Sequence, residues 1–248
     1  MIEDIYIKYK EYAKFYNLNN YDTKKLWNII KPICSHEEFQ KRCLPPFWHH
    51  DNKTVGEHIL CDTIVTYIMI KKLKDNNINT VNLKTACLIA MFHDLYECPW
   101  QNQKVKKKLF NRHGFTHPIE AVTNAITWYP KYFKNIGTSY VLIDGILHHM
   151  YPLPVRAFDG TDIYLNNKDK FDNLEKKYKD IIKFSTNLGK IGRISLRRSI
   201  FPEGRILSKA DKKVAFHNDI HSIDGYLALI SGNNKKLKKI IVNSLVDK

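Results

Sequence analysis

The chain has no Cys-x-x-Cys pair, and its five cysteines, Cys34, Cys43, Cys61, Cys87 and Cys98, are dispersed and odd in number. That excludes a disulfide framework and a zinc knuckle, and they read as reduced thiols, mostly in a core. No apolar run comes near the roughly 18 residues that a membrane-spanning helix requires; residues 88–92 are typical of the longest. The opening Met1-Ile2-Glu3-Asp4-Ile5-Tyr6 is acidic where a secretory signal would be basic and then apolar, so a cytoplasmic location is expected. Glycine and proline are scarce, 10 and 9 in 248 residues, which excludes collagenous and low-complexity architectures. Alternating hydrophobicity is almost absent and there is no internal repeat, so neither a β-rich fold nor a solenoid is indicated.

With 44% hydrophobic, 12% aromatic and 26% charged residues, the composition is that of a folded chain able to bury a large core. Forty Lys and Arg against 25 Asp and Glu leave a net charge of +15, a field that attracts phosphorylated small molecules or nucleic acid. Part of this excess lies in lysine runs at 104–108 and 235–239, whose plainest reading is a solvated face.

Apolar residues recur at helical spacing through nearly every segment, which predicts an all-α fold of about seven to ten helices. Ile5, Tyr9, Tyr12 and Phe15 mark a first helix, and Asp22 or Thr23 is placed to cap a second carrying Leu26, Trp27, Ile29 and Ile30. These form an N-terminal extension over 1–35, ahead of a domain over 36–248. Thr54 and Glu57 have capping-box spacing and open a helix to about Lys74. Residues 83–97 read as a nearly all-round apolar helix whose buried run ends with His93-Asp94. Further helices are expected from His117-Pro118 to Trp128 or Tyr129, then over 140–150, 169–183 and 204–216. A Gly-, Ser- and Arg-rich loop spans about 187–204.

A buried imidazole next to a buried carboxylate is costly unless something satisfies both, and a metal ion does so. His93-Asp94 is such a pair. His58 on one predicted helix, His117 opening another, His148-His149 closing a third and Asp211 on the last complete an ordered series, H, HD, H, HH, D. Imidazole and carboxylate without thiolate suit Zn, Mn, Fe, Co or Ni at a hydrolytic or oxidative centre. About four such groups hold one ion, and six suffice for two ions sharing a carboxylate.

The order and setting of these residues resemble the HD-domain superfamily of metal-dependent phosphohydrolases. The resemblance runs from about Glu38 to Phe216 and is carried by Thr54-Val55-Gly56-Glu57-His58, Leu88-Ile89-Ala90-Met91-Phe92-His93-Asp94, His113-Gly114-Phe115-Thr116-His117-Pro118, His148-His149-Met150-Tyr151-Pro152 and Ser208-Lys209-Ala210-Asp211-Lys212. It implies a single helical bundle in which His58, His93, Asp94 and Asp211 hold a first divalent ion. Asp94 would bridge to a second ion held by His117 and by His149 or His148. The ions are left open among Mn, Fe, Co, Ni, Zn and Mg. The tandem histidines resemble the binuclear branch with its cyclic-dinucleotide phosphodiesterases, but the Gly-Tyr-Pro signature is reduced to Tyr151-Pro152. Glu97 completes a His-Asp-x-x-Glu pattern similar to that of 5′-deoxynucleotidases and guanosine-polyphosphate hydrolases, which implies a part in proton transfer; Cys98-Pro99 stands where the latter have another acid.

Spacing places Asp62, Glu120 and Asp144 one helical turn from His58, His117 and His148, where each could orient an imidazole. Lys212, Lys209, Arg205, Arg197, Arg198, Arg156 and Arg112 are the candidate phosphate-binding cations, with Lys212 foremost. His113 is a candidate proton donor, His49-His50 precede the first-ligand helix closely enough to line a cleft, and Trp100 is a candidate base platform. Metal-activated water attacking a nucleotide or other small phosphorylated substrate is the expected chemistry. A di-iron oxygenase built on the same ligand pattern and a basic nucleic-acid-binding module with a vestigial site are the alternatives.

Overall fold

The computed structural model describes residues 1–49, 53–76, 80–99, 109–159 and 164–217, with 216 and 217 described by their backbone alone. His50, Trp100, the lysine runs 104–108 and 235–239 and everything past 217 lie outside the described residues. The described chain is mostly helical: α1 (Ile2–Phe15), α2 (Asn20–Cys34), α3 (Glu37–Arg42), α4 (Val55–Asp75), α5 (Leu83–Phe92), α6 (His113–Trp128), α7 (Ile136–Leu147), α8 (Lys168–Asp172), α9 (Lys176–Asn187) and α10 (Pro202–His217). None of these helices is long and apolar enough to cross a membrane.

Helices α4, α5, α7 and α10 pack on one another at the centre, with α6 against α7 and α5. One buried apolar cluster runs from Ile5 on α1 to Leu207 on α10, so α1 and α2 share the core of the rest. Tyr9 is wholly buried, and its hydroxyl donates to the Thr23 carbonyl (2.8 Å), which fastens α1 to α2.

Local chemistry sets the helix ends. The capping box of α4 is complete: Glu57 N–H donates to Thr54 Oγ1 (3.2 Å), and Thr54 N–H donates to Glu57 Oε2 (2.8 Å). Helix α2 begins earlier than expected because Asn19 caps it, accepting from Asp22 N–H (2.8 Å). Helix α6 starts at His113, which puts Pro118 in its second turn. The segment expected as one helix over 169–183 is two, α8 and α9.

Helix α5 is the most informative departure. It stops at Phe92, five residues short of the expected end at Glu97, leaving His93-Asp94 on an irregular turn. Beyond Phe92, backbone carbonyls bond to side chains of other elements. Asn124 Nδ2 donates to Leu95 O (2.7 Å), and the Arg42 guanidinium donates to Tyr96 O through Nη2 (2.6 Å) and Nε (3.2 Å). Arg42 is buried, with its guanidinium stacked near Trp128 and Phe47.

Part of the expected loop is a small antiparallel sheet of order β1-β3-β2, made of β1 (Val155–Arg156), β2 (Lys190–Ile191) and β3 (Ile194–Ser195). Two-residue strands are too short to produce visible alternation. Gly192, at φ 59°, makes the left-handed turn between β2 and β3.

Glycine also permits the crossing of α7 and α10. A Cβ on Gly204 would lie 2.7 Å from Gly145 Cα and 2.5 Å from Ser199 Oγ. Gly204→Ala is therefore expected to push α10 outward and destabilise the protein by about 1–3 kcal/mol. A urea titration measures this; an unchanged midpoint would contradict the packing described.

Candidate metal centre

Five helices, or the turns at their ends, each deliver part of one cluster. His58 and Asp62 lie one turn apart on α4, so both face the same way. His93 and Asp94 follow α5, His117 sits on α6, His149 follows α7 and Asp211 is on α10. All seven are buried.

The imidazoles are held in a defined tautomer. The Nδ1 atoms of His93, His117 and His149 meet the carbonyls of Ala90 (2.7 Å), His113 (3.0 Å) and Ile146 (2.7 Å). A carbonyl only accepts, so each Nδ1 carries a proton and each ring turns its Nε2 inward. His117 Nε2 and His149 Nε2 then face each other at 3.2 Å. Two lone pairs at that distance repel unless a proton or a cation lies between them.

Asp94 joins two halves. Its Oδ1 lies 3.4 Å from His117 Nε2 and 3.6 Å from His149 Nε2. Its Oδ2 lies 3.7 Å from His58 Nε2 and 3.6 Å from His93 Nε2. His58 Nε2 is also 3.4 Å from Asp211 Oδ1 and 3.0 Å from Asp62 Oδ2, while His93 Nε2 is 3.2 Å from Asp62 Oδ2. Two donors bound to one ion at about 2.0–2.2 Å, at angles near 90–110°, stand roughly 2.8–3.6 Å apart. The cluster spacings fall in or at the edge of that range, and these buried His and Asp groups could hold a metal ion.

Charge balance points the same way. Burial disfavours the His58 imidazolium, but the carboxylates of Asp62, Asp211 and Asp94 outweigh it and raise its pKa well above the ordinary histidine value. Burial likewise opposes charge on His93, yet Asp94 and Asp62 raise its pKa to about 9. Asp94 and Asp211 are held ionised against their burial by the surrounding histidines. His117 goes the other way, lowered to about 4 chiefly by burial. Without a metal, protons on His58 and His93 therefore balance the carboxylates.

The tandem histidines separate. His149 enters the cluster, whereas His148 Nε2 lies 3.3 Å from both Ser185 O and Ser185 Oγ and 3.9 Å from Asp144 Oδ1. Burial lowers the His148 pKa to about 4. Consecutive residues at a helix end point in different directions, so only one of them can reach the centre.

Several other expected roles are displaced. Arg197 is spent on Asp144 and on Ser185 O and Oγ (3.0 Å each), where it clamps the α9–α10 connection to α7. Asp144 also accepts from Ser185 Oγ (2.7 Å), Ser199 Oγ (2.7 Å) and Ile200 N–H (2.9 Å), so it organises this clamp rather than an imidazole of the centre. Arg156 is buried against Asp159 and the Tyr164 ring. Glu97 pairs with Lys170 (2.6 Å) and makes no contact with the cluster among the described residues. Glu120 accepts from Asn166 N–H (3.0 Å) and Nδ2 (2.9 Å), leaving the His113 carbonyl to orient His117.

Two other candidates, His113 and Lys212, lie beside ligands. His113 stacks on His117 at 4.8 Å between ring centroids. Lys212, next to Asp211, donates to Ser208 O (2.7 Å) and Oγ (2.6 Å), and burial lowers its pKa to about 8. Arg198 is exposed above the Tyr151 ring, Arg112 and Lys209 are exposed, and Arg205 bonds Ser199 O (2.8 Å). His49 stacks on His58 at 3.8 Å, with Nε2 3.6 Å from Asp94 Oδ2, on the more open side of the cluster. Comparison of the chain with family models, with curated proteins and with solved structures gives no match.

Two outcomes follow. Because His93 carries a proton up to pH about 9, metal binding must release protons, and affinity should rise as pH increases from 6 towards 9. Calorimetry in buffers of different ionisation enthalpy measures this release, and binding independent of pH would contradict the charge assignment. His149→Ala should weaken metal binding at least tenfold, while His148→Ala should lower thermal stability and leave metal stoichiometry intact. The reverse pattern would exchange their assignments.

Proposed function

We propose that this chain is an HD-type metal-dependent phosphohydrolase acting on a nucleotide or another small phosphorylated molecule. The observation that carries this reading is the shared position of Asp94. One of its oxygens faces His117 and His149 and the other faces His58 and His93. That arrangement suits two ions bridged by one carboxylate, with Asp211 completing the first half.

Divalent ions in such a site supply a water of lowered pKa and neutralise phosphate oxygens during in-line displacement. The chain's own groups do the rest. His93, His117 and His149, fixed through Nδ1 to backbone carbonyls, present Nε2 without rotamer search. His113, stacked on His117, is the proton donor for the leaving oxygen, because Glu97 is engaged with Lys170. Lys212 and Arg198 bring positive charge to the α10 side and bind the phosphate. The net charge of +15 draws an anionic substrate inward.

The test is a phosphate-release screen over mono-, tri- and cyclic nucleotides with Mn, Fe, Co, Ni, Zn or Mg supplied, on wild type and Asp94→Ala. Wild type should turn over at least one class, and Asp94→Ala should lose metal and at least about a hundredfold of activity together. Full activity in Asp94→Ala would overturn the assignment. Iron-dependent oxygen consumption without phosphate release would favour the di-iron oxygenase. Steeply salt-dependent nucleic-acid binding without turnover would favour the binding module.

A further inference from the structure

Asp62 has two imidazoles at ion-pair distance but no aligned hydrogen bond. It is wholly buried on α4, and neither carboxylate oxygen has a hydrogen bond of acceptable geometry among the described residues. Leaving a buried carboxylate in that condition is costly. Yet Oδ2 stands 3.0 Å from His58 Nε2 and 3.2 Å from His93 Nε2, closer to both than Asp94 Oδ2 is. His93 Nε2 is itself without a hydrogen bond. Donor atoms that crowd to these distances without aligning on one another are arranged like ligands aimed at a common third point. His58, Asp62, His93 and Asp211 all offer a donor atom within 4.8 Å of the others, and all four are buried.

We infer that Asp62 is itself a ligand of the first ion, giving that half of the centre an oxygen-rich donor set. The inference rests on the metal-centre reading proposed above and adds a residue to it. An outer role, orienting His58 from the next turn, would have the Asp62 carboxylate accept a ring N–H at good angle, and His58 Nε2 is instead shared among three carboxylates. The consequence is an asymmetric pair of sites. The first sees His58 and His93 with Asp62, Asp94 and Asp211; the second sees His117 and His149 with Asp94 alone. Carboxylate-rich sites suit harder ions such as Mn and Mg, while imidazole-rich sites suit Zn, Fe and Ni, so the first site should favour Mn over Zn more than the second does.

The experiment uses cobalt(II) as the probe on the full chain. Asp62→Cys should acquire a near-ultraviolet thiolate-to-cobalt charge-transfer band that wild type lacks, since this band requires sulfur bonded directly to the ion. Asp62→Asn, close in shape, should bind one cobalt at least a hundredfold more weakly in a chelator competition while the other ion is retained. Circular dichroism confirms that each variant is folded, and Asp62→Asn carries the test if the cysteine variant is not. Cobalt taken up by Asp62→Cys at wild-type stoichiometry without the band would overturn the inference and leave the metal centre standing. Unchanged affinity in Asp62→Asn would do the same. A wild-type chain that binds no cobalt would overturn the centre and Asp62's role with it.

Discussion

Two imidazole nitrogens 3.2 Å apart, each with its other nitrogen already donating to the backbone, are the constraint on which the centre depends. Burial removes the water that could separate them, so a positive charge must. The same holds for Asp62, Asp94 and Asp211, three carboxylates packed around His58 and His93. Protons on these two histidines balance the carboxylates, and a divalent ion could do so with the donor atoms already in place. The helices α4, α5, α6, α7 and α10 are each anchored so that their contributions meet.

That anchoring is visible in the residues behind the ligands. Arg42 and Asn124 bind the Tyr96 and Leu95 carbonyls and so fix the chain that follows His93 and Asp94. Asp144 and Arg197 tie the segment before α10 to α7, and the close approach at Gly204 sets how near α10 and Asp211 come to the centre. Arg197, by its sequence a candidate phosphate-binding cation, here fixes geometry instead. Preorganised donors of this kind need no rearrangement when a ligand arrives.

The legible part of the site was the part that local chemistry determines. Histidine and aspartate among apolar residues on successive helices stand out because their burial requires compensation, and the capping box at Thr54 follows from a four-residue pattern. Helical periodicity likewise displayed the mostly helical fold. What stayed hidden depends on partners far along the chain. Glu97 looked catalytic until Lys170, 73 residues on, took it. Arg197 looked available until Asp144 did, and the choice between His148 and His149 turned on the final backbone direction of α7. Asp62 was visible only as a neighbour of His58, because its distance to His93 is set by how α4 packs on α5.

The most direct test of the central claim is anomalous X-ray diffraction from crystals grown with manganese, collected on either side of its absorption edge. Two anomalous peaks are predicted, one between Asp94 and the His117–His149 pair, the other between Asp94, His58, His93 and Asp211. A well-ordered cluster with the same side-chain positions and no anomalous density would contradict it.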